Sequence, residues 1–253
     1  MQKVTVTGAA GRLGRLVVER LVNDGREVFA VDKVRPDKPR CRFVTADMTD
    51  GTAAYDVLQG SDAVIHLAAV PGPRMKPESA LFENNVLGTH NVVRAAAALG
   101  LKKVVFGSSA FALGWHEDAA RCWPRYLPVD ESHPLAPMEA YGLSKQVGED
   151  VCASVSASSG VPIVSLRMMN IVHPEPVGQL PWPTPTKEHP VRFVMWPYVD
   201  ARDAAAACVL ALDAETMGHE AVFIGAADLR FDCLTEDLIR GLVPDDVEIR
   251  RPL

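Results

Sequence analysis

Tyr141 and Lys145 stand four residues apart in the run Tyr141-Gly142-Leu143-Ser144-Lys145. On a helix that spacing puts a phenol and an ammonium on one face, one turn apart. A phenol with an ordinary pKa near 10 costs roughly 4 kcal/mol to ionise at pH 7, at about 1.36 kcal/mol per unit. A neighbouring ammonium, with a second positive charge brought in by a bound cofactor, favours the phenolate, so the phenol can take a proton from a hydroxyl or return one to a carbonyl. Ser108-Ser109 follows an apolar run, and Ser109 is the residue expected to hold the oxygen on which that proton moves. Tyrosine–lysine pairs at this spacing are common on helices. This one gains its meaning from what else the chain carries.

Gly8-Ala9-Ala10-Gly11-Arg12-Leu13-Gly14 leaves one β-rich run and opens an amphipathic stretch. Gly8 permits the sharp turn, Gly11 lets a pyrophosphate approach the backbone, and Gly14 lets helix and sheet pack closely. The helix start then offers free N–H groups and a partial positive charge. Gly8, Gly11, Arg12, Leu13 and Gly14 are therefore expected at a dinucleotide. Asp32 ends the second β-rich run eighteen residues beyond Gly14. A carboxylate there accepts both ribose hydroxyls and repels a 2′-phosphate, which favours NAD over NADP. Lys33 and Arg35 could serve a 2′-phosphate if Asp32 swung aside; as solvated loop cations they leave NAD the expected cofactor. Asp47-Met48 stands where it can meet the adenine amino group, and Leu67-Ala68-Ala69 gives a dinucleotide small residues to lie against. His66 is expected as a core histidine at a strand end, without chemistry.

The elements that must position these residues alternate in type. Short β-rich runs at Val4–Thr7, Val28–Val31, Arg42–Thr45, Ala63–Leu67 and Lys103–Phe106 are separated by helix-like stretches, notably Arg12–Val22 and Pro77–Leu99. Leu13, Leu16, Val17 and Leu21 make an apolar stripe at helical spacing. Pro77 suits a first helical turn and Gly100 a helix stop. A helix is expected over Pro137–Ser158 and a strand over Val161–Arg167. Strands alternating with helices predict an α/β fold, a doubly wound parallel (Rossmann) sheet. The texture changes after Arg167. Seven prolines from Pro174 to Pro197 read as a loop, a candidate lid, before a helix at Asp203–Leu212, a strand at Ala221–Ile224 and a helix at Thr235–Leu242. We therefore expect a dinucleotide-binding domain over residues 1–167 and a small substrate lobe over residues 168–253.

Composition narrows the function class. With 253 residues, 48% of them hydrophobic, the chain can bury a large core. A net charge of −6 argues against a nucleic-acid partner, which would want a basic face. No stretch approaches the ~20 apolar residues of a membrane helix. The chain starts directly on Lys3-Val4-Thr5-Val6-Thr7, which reads as having no leader. Five scattered cysteines form no CxxC pair, so no metal site is expected and a reducing cytoplasm is the expected location.

GAAGRLG (8–14), Asp32, HLAA (66–69), NNVLGT (84–89), FGSSA (106–110), YGLSK (141–145) and LRMMN (166–170) together resemble an extended short-chain dehydrogenase/reductase of the NAD-dependent epimerase/dehydratase family. The resemblance covers about two thirds of the chain, in the family's order. It implies a homodimer built on the helices that hold Asn85 and Tyr141. It also implies that Asn85, Tyr141 and Lys145 contact the cofactor, that Asn85 helps fix the active-site architecture, and that the segment after Arg167 shapes the substrate pocket, with Asn170 in it.

Departures from the family pattern narrow the reaction. Dehydratases of this family place Asp-Glu after the strand-end hydroxyl residue; here Ala110 and Phe111 follow Ser109, which disfavours dehydration. Nucleotide-sugar epimerases usually carry a Gly-Pro turn and a long insertion after the asparagine that matches Asn170. This chain has Ile171-Val172-His173-Pro174, about 25 residues before Tyr198, and a short C-terminal end, so the pocket is expected to be small for a nucleotide tail. The layout is closer to compact members such as uronate dehydrogenases, with Pro-Glu-Pro at 174–176 and an arginine shortly before a tryptophan. Arg192 is thus the candidate for a substrate carboxylate or polyol, or else a surface loop cation. Ala110 and Phe111 also replace the uronate enzymes' polar contacts. Trp115, Trp123, Trp182 and Trp196 are expected to serve lobe packing more than sugar stacking. The expected function is an NAD-dependent oxidoreductase acting on a hydroxyl or carbonyl of a small, sugar-like substrate through Ser109, Tyr141 and Lys145. Two alternatives remain open: an epimerase with retained NAD, and a dinucleotide-sensing regulator without catalysis.

Overall fold

Parallel strands buried on both faces need continuous apolar runs, and this chain supplies them. Ala63-Val64-Ile65-His66 is buried at every position, as is Ile163–Met168. The computed structural model describes residues 1–72, 77–173 and 180–251. Its elements are β1 (Lys3–Thr7), α1 (Arg12–Asn23), β2 (Glu27–Asp32), β3 (Arg42–Thr45), α2 (Gly51–Leu58), β4 (Ala63–His66), α3 (Glu78–Ala98) and β5 (Lys103–Ser109). There follow β6 (Tyr126–Leu127), α4 (Ala140–Ser159), β7 (Ile163–Met168), β8 (Asn170–Val172) and β9 (Tyr198–Asp200). The chain continues through α5 (Ala201–Asp213), β10 (His219–Ile224), α6 (Thr235–Leu242) and β11 (Glu248–Ile249).

Seven strands form one parallel sheet in the order β10-β7-β5-β4-β1-β2-β3. α1 and α5 pack together on one face, and α2, α3 and α4 on the other. This is the doubly wound α/β arrangement that the alternation of runs predicts. Each face carries its own core: Val17, Leu21 and Cys208 on one side, Val57, Val92 and Cys152 on the other. The carboxyl ends of β1, β4 and β5 lie side by side, with Thr7 in register with His66 and Ser109 with Met168.

Helix starts differ from the sequence reading where caps decide them. α4 begins at Ala140, not Pro137, because the Glu139 carboxylate accepts from the amides of Tyr141 (2.6 Å) and Gly142 (2.5 Å). Pro77 stands just outside α3, with ψ near 139°. α2, which sequence periodicity did not single out, is eight residues capped by Asp50.

After β7 the chain leaves the sheet, pairs β8 with β9, and returns. α5 packs on α1, and β10 adds beside β7 at the sheet's edge. Trp196, Phe231 and Leu238 form a separate small core in this C-terminal part. The stretch expected as a proline-rich loop includes a 3-10 turn at Phe193–Met195 and a bridge from Trp182 to Phe231. Pro174, Glu175 and Pro176 lie outside the described residues.

Candidate active site

The turn out of β1 depends on missing side chains. Gly8 has φ of 70°, and a Cβ there would lie 2.6 Å from the Ala68 amide nitrogen. A Cβ on Gly14 would lie 2.1 Å from the Gly8 carbonyl oxygen; one on Gly11 would lie 3.1 Å from the same atom. Gly11 to Gly14 open α1 and line a cleft of about 410 Å³, so the helix's positive end faces that space. Arg12 and Leu13 are on its wall. The backbone thus leaves the close approach a diphosphate requires.

A second cleft, about 380 Å³, shares Gly8, Gly11, Leu67 and Ala69 with the first and reaches the end of β2 and the residues just after β3. Asp32, Asp47, Met48 and Ala68 line it, as expected for an adenosine half. Asp32 Oδ2 accepts from the Ala10 amide at 2.9 Å, which fixes the carboxylate against the glycine turn. Lys33 Nζ lies 2.9 Å from Asp47 Oδ2 and donates to Asn84 Oδ1 at 2.8 Å. The Lys33 bridge helps hold the Asp47 carboxyl below its usual range, against the opposing effect of its partial burial. Arg35 donates to the Phe43 carbonyl and lies over its ring. Lys33 and Arg35, the two cations expected to meet a 2′-phosphate, are therefore engaged.

The first cleft is also lined by Ser109, Tyr141 and Lys145. Ser109 ends β5 and caps the 3-10 turn Ala110–Leu113, its Oγ accepting from the Phe111 amide at 3.2 Å. Gly142 lets α4 close on that turn: a Cβ there would lie 2.5 Å from the Phe111 carbonyl oxygen. The Tyr141 ring meets Phe111 edge-on at 5.8 Å, and Phe111 stacks on Trp115. Lys145 is buried; its Nζ donates to the Gly107 carbonyl at 2.7 Å and lies 5.7 Å from the Tyr141 ring centroid.

Burial pushes the Tyr141 phenol up to about 12, with the Ser109 hydroxyl pulling the other way. Burial likewise brings Lys145 down to about 8. Desolvation in the free chain favours the neutral form of both groups.

Other expected residues fall in different places. Asn85 faces neither cleft. Its Oδ1 accepts from the Val70 amide at 2.8 Å, and its Nδ2 donates to the Val70 carbonyl and to Ser144 Oγ. Ser144 Oγ in turn donates to the Tyr141 carbonyl at 2.7 Å. Asn85 thus ties the loop after β4 to α4, and its neighbour Asn84 is the one on the second cleft. Arg192 does not line the first cleft: its guanidinium donates to the carbonyls of His116 and Glu117 and lies over Trp115. Asn170 does line it. His66 is the expected core histidine, bonded to Thr7 and Thr89, and burial lowers it to about 3. Trp123 and Trp196 pack with Phe193, and Trp196 also with Phe231.

Sequence reasoning missed Glu149, four residues past Lys145 on α4. Its carboxylate accepts from Ser108 Oγ at 2.5 Å and pairs with Arg167 at 2.8 Å in the interior. The four-residue spacing from a site lysine was the available signal. His173, on the wall of the first cleft, carried no pattern that could single it out.

A putative UDP-glucose 4-epimerase of Methanocaldococcus jannaschii is 32% identical over 176 residues, covering 66% of this chain and 55% of the relative. A uronate dehydrogenase of Pseudomonas putida is 31% identical over 170 residues, covering 66% and 60%. The chain thus spans little more than half the length of these curated relatives. Among solved structures, a short-chain dehydrogenase/reductase superfamily protein from Agrobacterium tumefaciens, with bound NAD, superposes with a TM-score of 0.76 at 26% identity, covering 98% of this chain and 84% of that one. The family model for NAD dependent epimerase/dehydratase proteins matches residues 4–225, a span that takes in all seven strands of the sheet and both clefts. By that match this chain belongs to the NAD-dependent epimerase/dehydratase family.

Proposed function

We propose that the chain is an NAD-dependent oxidoreductase that interconverts a hydroxyl and a carbonyl on a small, sugar-like substrate. The observation that carries this reading is that Ser109, Tyr141 and Lys145 line the same cleft as the glycine turn. When bound, NAD supplies the hydride acceptor and a positively charged ring. Ser109 holds the substrate oxygen, and Tyr141 takes its proton at the phenolic oxygen or gives one back in the reverse direction. Lys145 anchors that end of α4 to the Gly107 carbonyl and adds a positive charge that favours the phenolate whenever it is protonated. The position of Asp32 and the engagement of Lys33 and Arg35 support NAD over NADP.

In this reading residues 1–167 carry the dinucleotide and residues 168–253 shape the substrate side. Leu87 on α3 and Leu143 on α4 are exposed, which supports a homodimer through these two helices. None of the described helices is long and apolar enough to cross a membrane, and all five cysteines are unpaired. Those features support a cytoplasmic location.

The test is a panel of neutral sugars, uronates, sugar phosphates and simple alcohols, each offered with NAD and with NADP. The expected result is steady NADH formation on at least one sugar, abolished in Tyr141→Phe. Interconversion of two sugars without NADH release would establish the epimerase reading instead. Turnover that survives Tyr141→Phe would overturn the role given to the phenol.

A further inference from the structure

The Tyr141 phenol and the Ser109 hydroxyl can act on one oxygen only if both side chains are held, and Phe111 touches both. Its amide donates to Ser109 Oγ at 3.2 Å, and its ring meets the Tyr141 ring edge-on at 5.8 Å. Phe111 also lines the first cleft. Tyr141 stands in the first turn of α4, the part of a helix most prone to fray, so its aim depends on what its ring packs against.

What steadies Phe111 comes from beyond its own turn. On its other side lies Trp115, with ring centroids 6.2 Å apart and the planes 20° from parallel. The Arg192 guanidinium lies 5.5 Å from the Trp115 centroid, donates from Nε to the His116 carbonyl at 3.1 Å, and donates from Nη2 to the Glu117 carbonyl. Arg192 thus grips residues 115–117. It immediately precedes the 3-10 turn Phe193–Met195, and Phe193 packs on Trp196 in the small C-terminal core. The grip therefore ties the loop after β5 to that core. Arg192, Trp115, Phe111 and Tyr141 form a row that ends at the cleft, each in contact with the next.

An arginine suits the outer end of such a row. A planar guanidinium can lie on an indole while its donors reach two neighbouring carbonyls, and a lysine ammonium cannot reproduce that fork. Arg192 is not on the wall of the first cleft, so its route to the reaction runs through Trp115 and Phe111.

We propose that Arg192 is a positioning residue. By clamping residues 115–117 it keeps the Phe111 ring against Tyr141, and so keeps the phenol and the Ser109 hydroxyl aimed at one oxygen. This deepens the oxidoreductase reading and rests on it.

The experiment measures kcat, KM for a sugar that the substrate panel identifies, and NAD affinity, in the wild type, Arg192→Met and Arg192→Lys. Arg192→Met keeps an apolar stem and removes the donors and the stacked plane. Its kcat should fall by about 10- to 100-fold, the scale on which roughly 1 Å of misplacement acts, while KM and NAD affinity change by less than about threefold. Arg192→Lys should recover only part of the loss. An unchanged kcat overturns the proposal. So does a raised KM at constant kcat, which would make Arg192 a substrate contact, and so does full recovery in Arg192→Lys, which would make charge alone the cause. Should Arg192→Met fail to fold, Trp115→Leu breaks the row one place further in and must lower kcat at constant KM; an unchanged kcat there overturns the proposal equally. A second arm needs no turnover. The fluorescence of Trp115, taken as the difference from a matching Trp115→Phe protein, should be quenched more strongly by acrylamide in Arg192→Met than in the wild type. Equal quenching overturns the clamp. A wild type that turns over no sugar refutes the oxidoreductase reading, and the quenching arm still decides whether Arg192 holds the stack.

Discussion

Lys145 stands one helical turn from Tyr141, yet its ammonium is turned to the Gly107 carbonyl, 2.7 Å away. The phenol beside it sits near 12 in the free chain. Ionising it at pH 7 then costs roughly 7 kcal/mol, against about 4 for a solvated phenol, at ~1.36 kcal/mol per unit. The free chain is set to donate a proton from Tyr141. To accept one, the phenol needs positive charge brought up beside it.

Removing the phenolic oxygen isolates this role. Tyr141→Phe keeps the ring that meets Phe111 edge-on, so cofactor binding should change by no more than about threefold. Turnover should drop by about 100- to 10,000-fold, the usual worth of a positioned acid or base. Steady-state rates and an NAD titration on the same preparation check both halves.

The two shifted groups also predict opposite pH effects on stability. The Lys145 amine, near 8 when folded against an ordinary 10.5, loses its proton earlier in the folded chain. Between about pH 8 and 10.5 the unfolded chain binds the extra proton, so this group makes stability rise with pH there. Tyr141 is the reverse: its contribution is intact below pH 10 and is lost as the pH climbs towards 12. Urea melts at pH 8 and pH 10 should show the Lys145 rise flattened in Lys145→Met. Absorbance titration should show the highest-pKa tyrosine vanish in Tyr141→Phe.

The glycine turn predicts a ranking. An added methyl at Gly14 meets backbone at 2.1 Å and 2.9 Å, whereas at Gly11 the nearest atom is at 3.1 Å. Gly14→Ala should destabilise by about 1–3 kcal/mol through overpacking and lose NAD binding, because the turn and α1 can no longer hold their approach. Gly11→Ala should fold nearly normally and bind NAD more weakly. Thermal melts and NAD titration of the two variants give the order.

Much of this architecture was legible in the sequence. The strands show because buried parallel strands are runs of valine and isoleucine, and the glycine turn because close approaches at Gly8 and Gly14 forbid a Cβ. Tyr141 and Lys145 were found because a helix converts spacing into a shared face. What could not be read is what tertiary folding decides. Arg192 and Arg230 are both arginines beyond β7, and only the pairing of residues 226–233 with Trp182 and Pro197 puts the second within hydrogen-bond reach of Asn170. Asn85 and Asn84 are neighbours, and one residue of helical rotation assigns the first to the interior and the second to the cleft. The desolvation that raises the Tyr141 phenol and lowers the Lys145 amine in the free chain likewise has no trace in their spacing.

Glu149 supplies the last prediction. Its carboxylate takes the Ser108 hydroxyl on one side and the Arg167 guanidinium on the other, and Arg167 reaches on to the Glu131 carbonyl at 2.9 Å. The network joins β5, α4, β7 and the loop before α4 directly behind Ser109. Glu149→Gln leaves Arg167 buried without its counter-charge, a loss of about 3–5 kcal/mol for a broken interior pair. At about 2–4 °C per kcal/mol for a chain of this size, the melting temperature should fall by roughly 6–20 °C. Glu149→Gln with Arg167→Met removes both charges and should recover part of that loss, since no lone charge remains. A double variant less stable than either single one would show that the pair contributes through something other than mutual neutralisation.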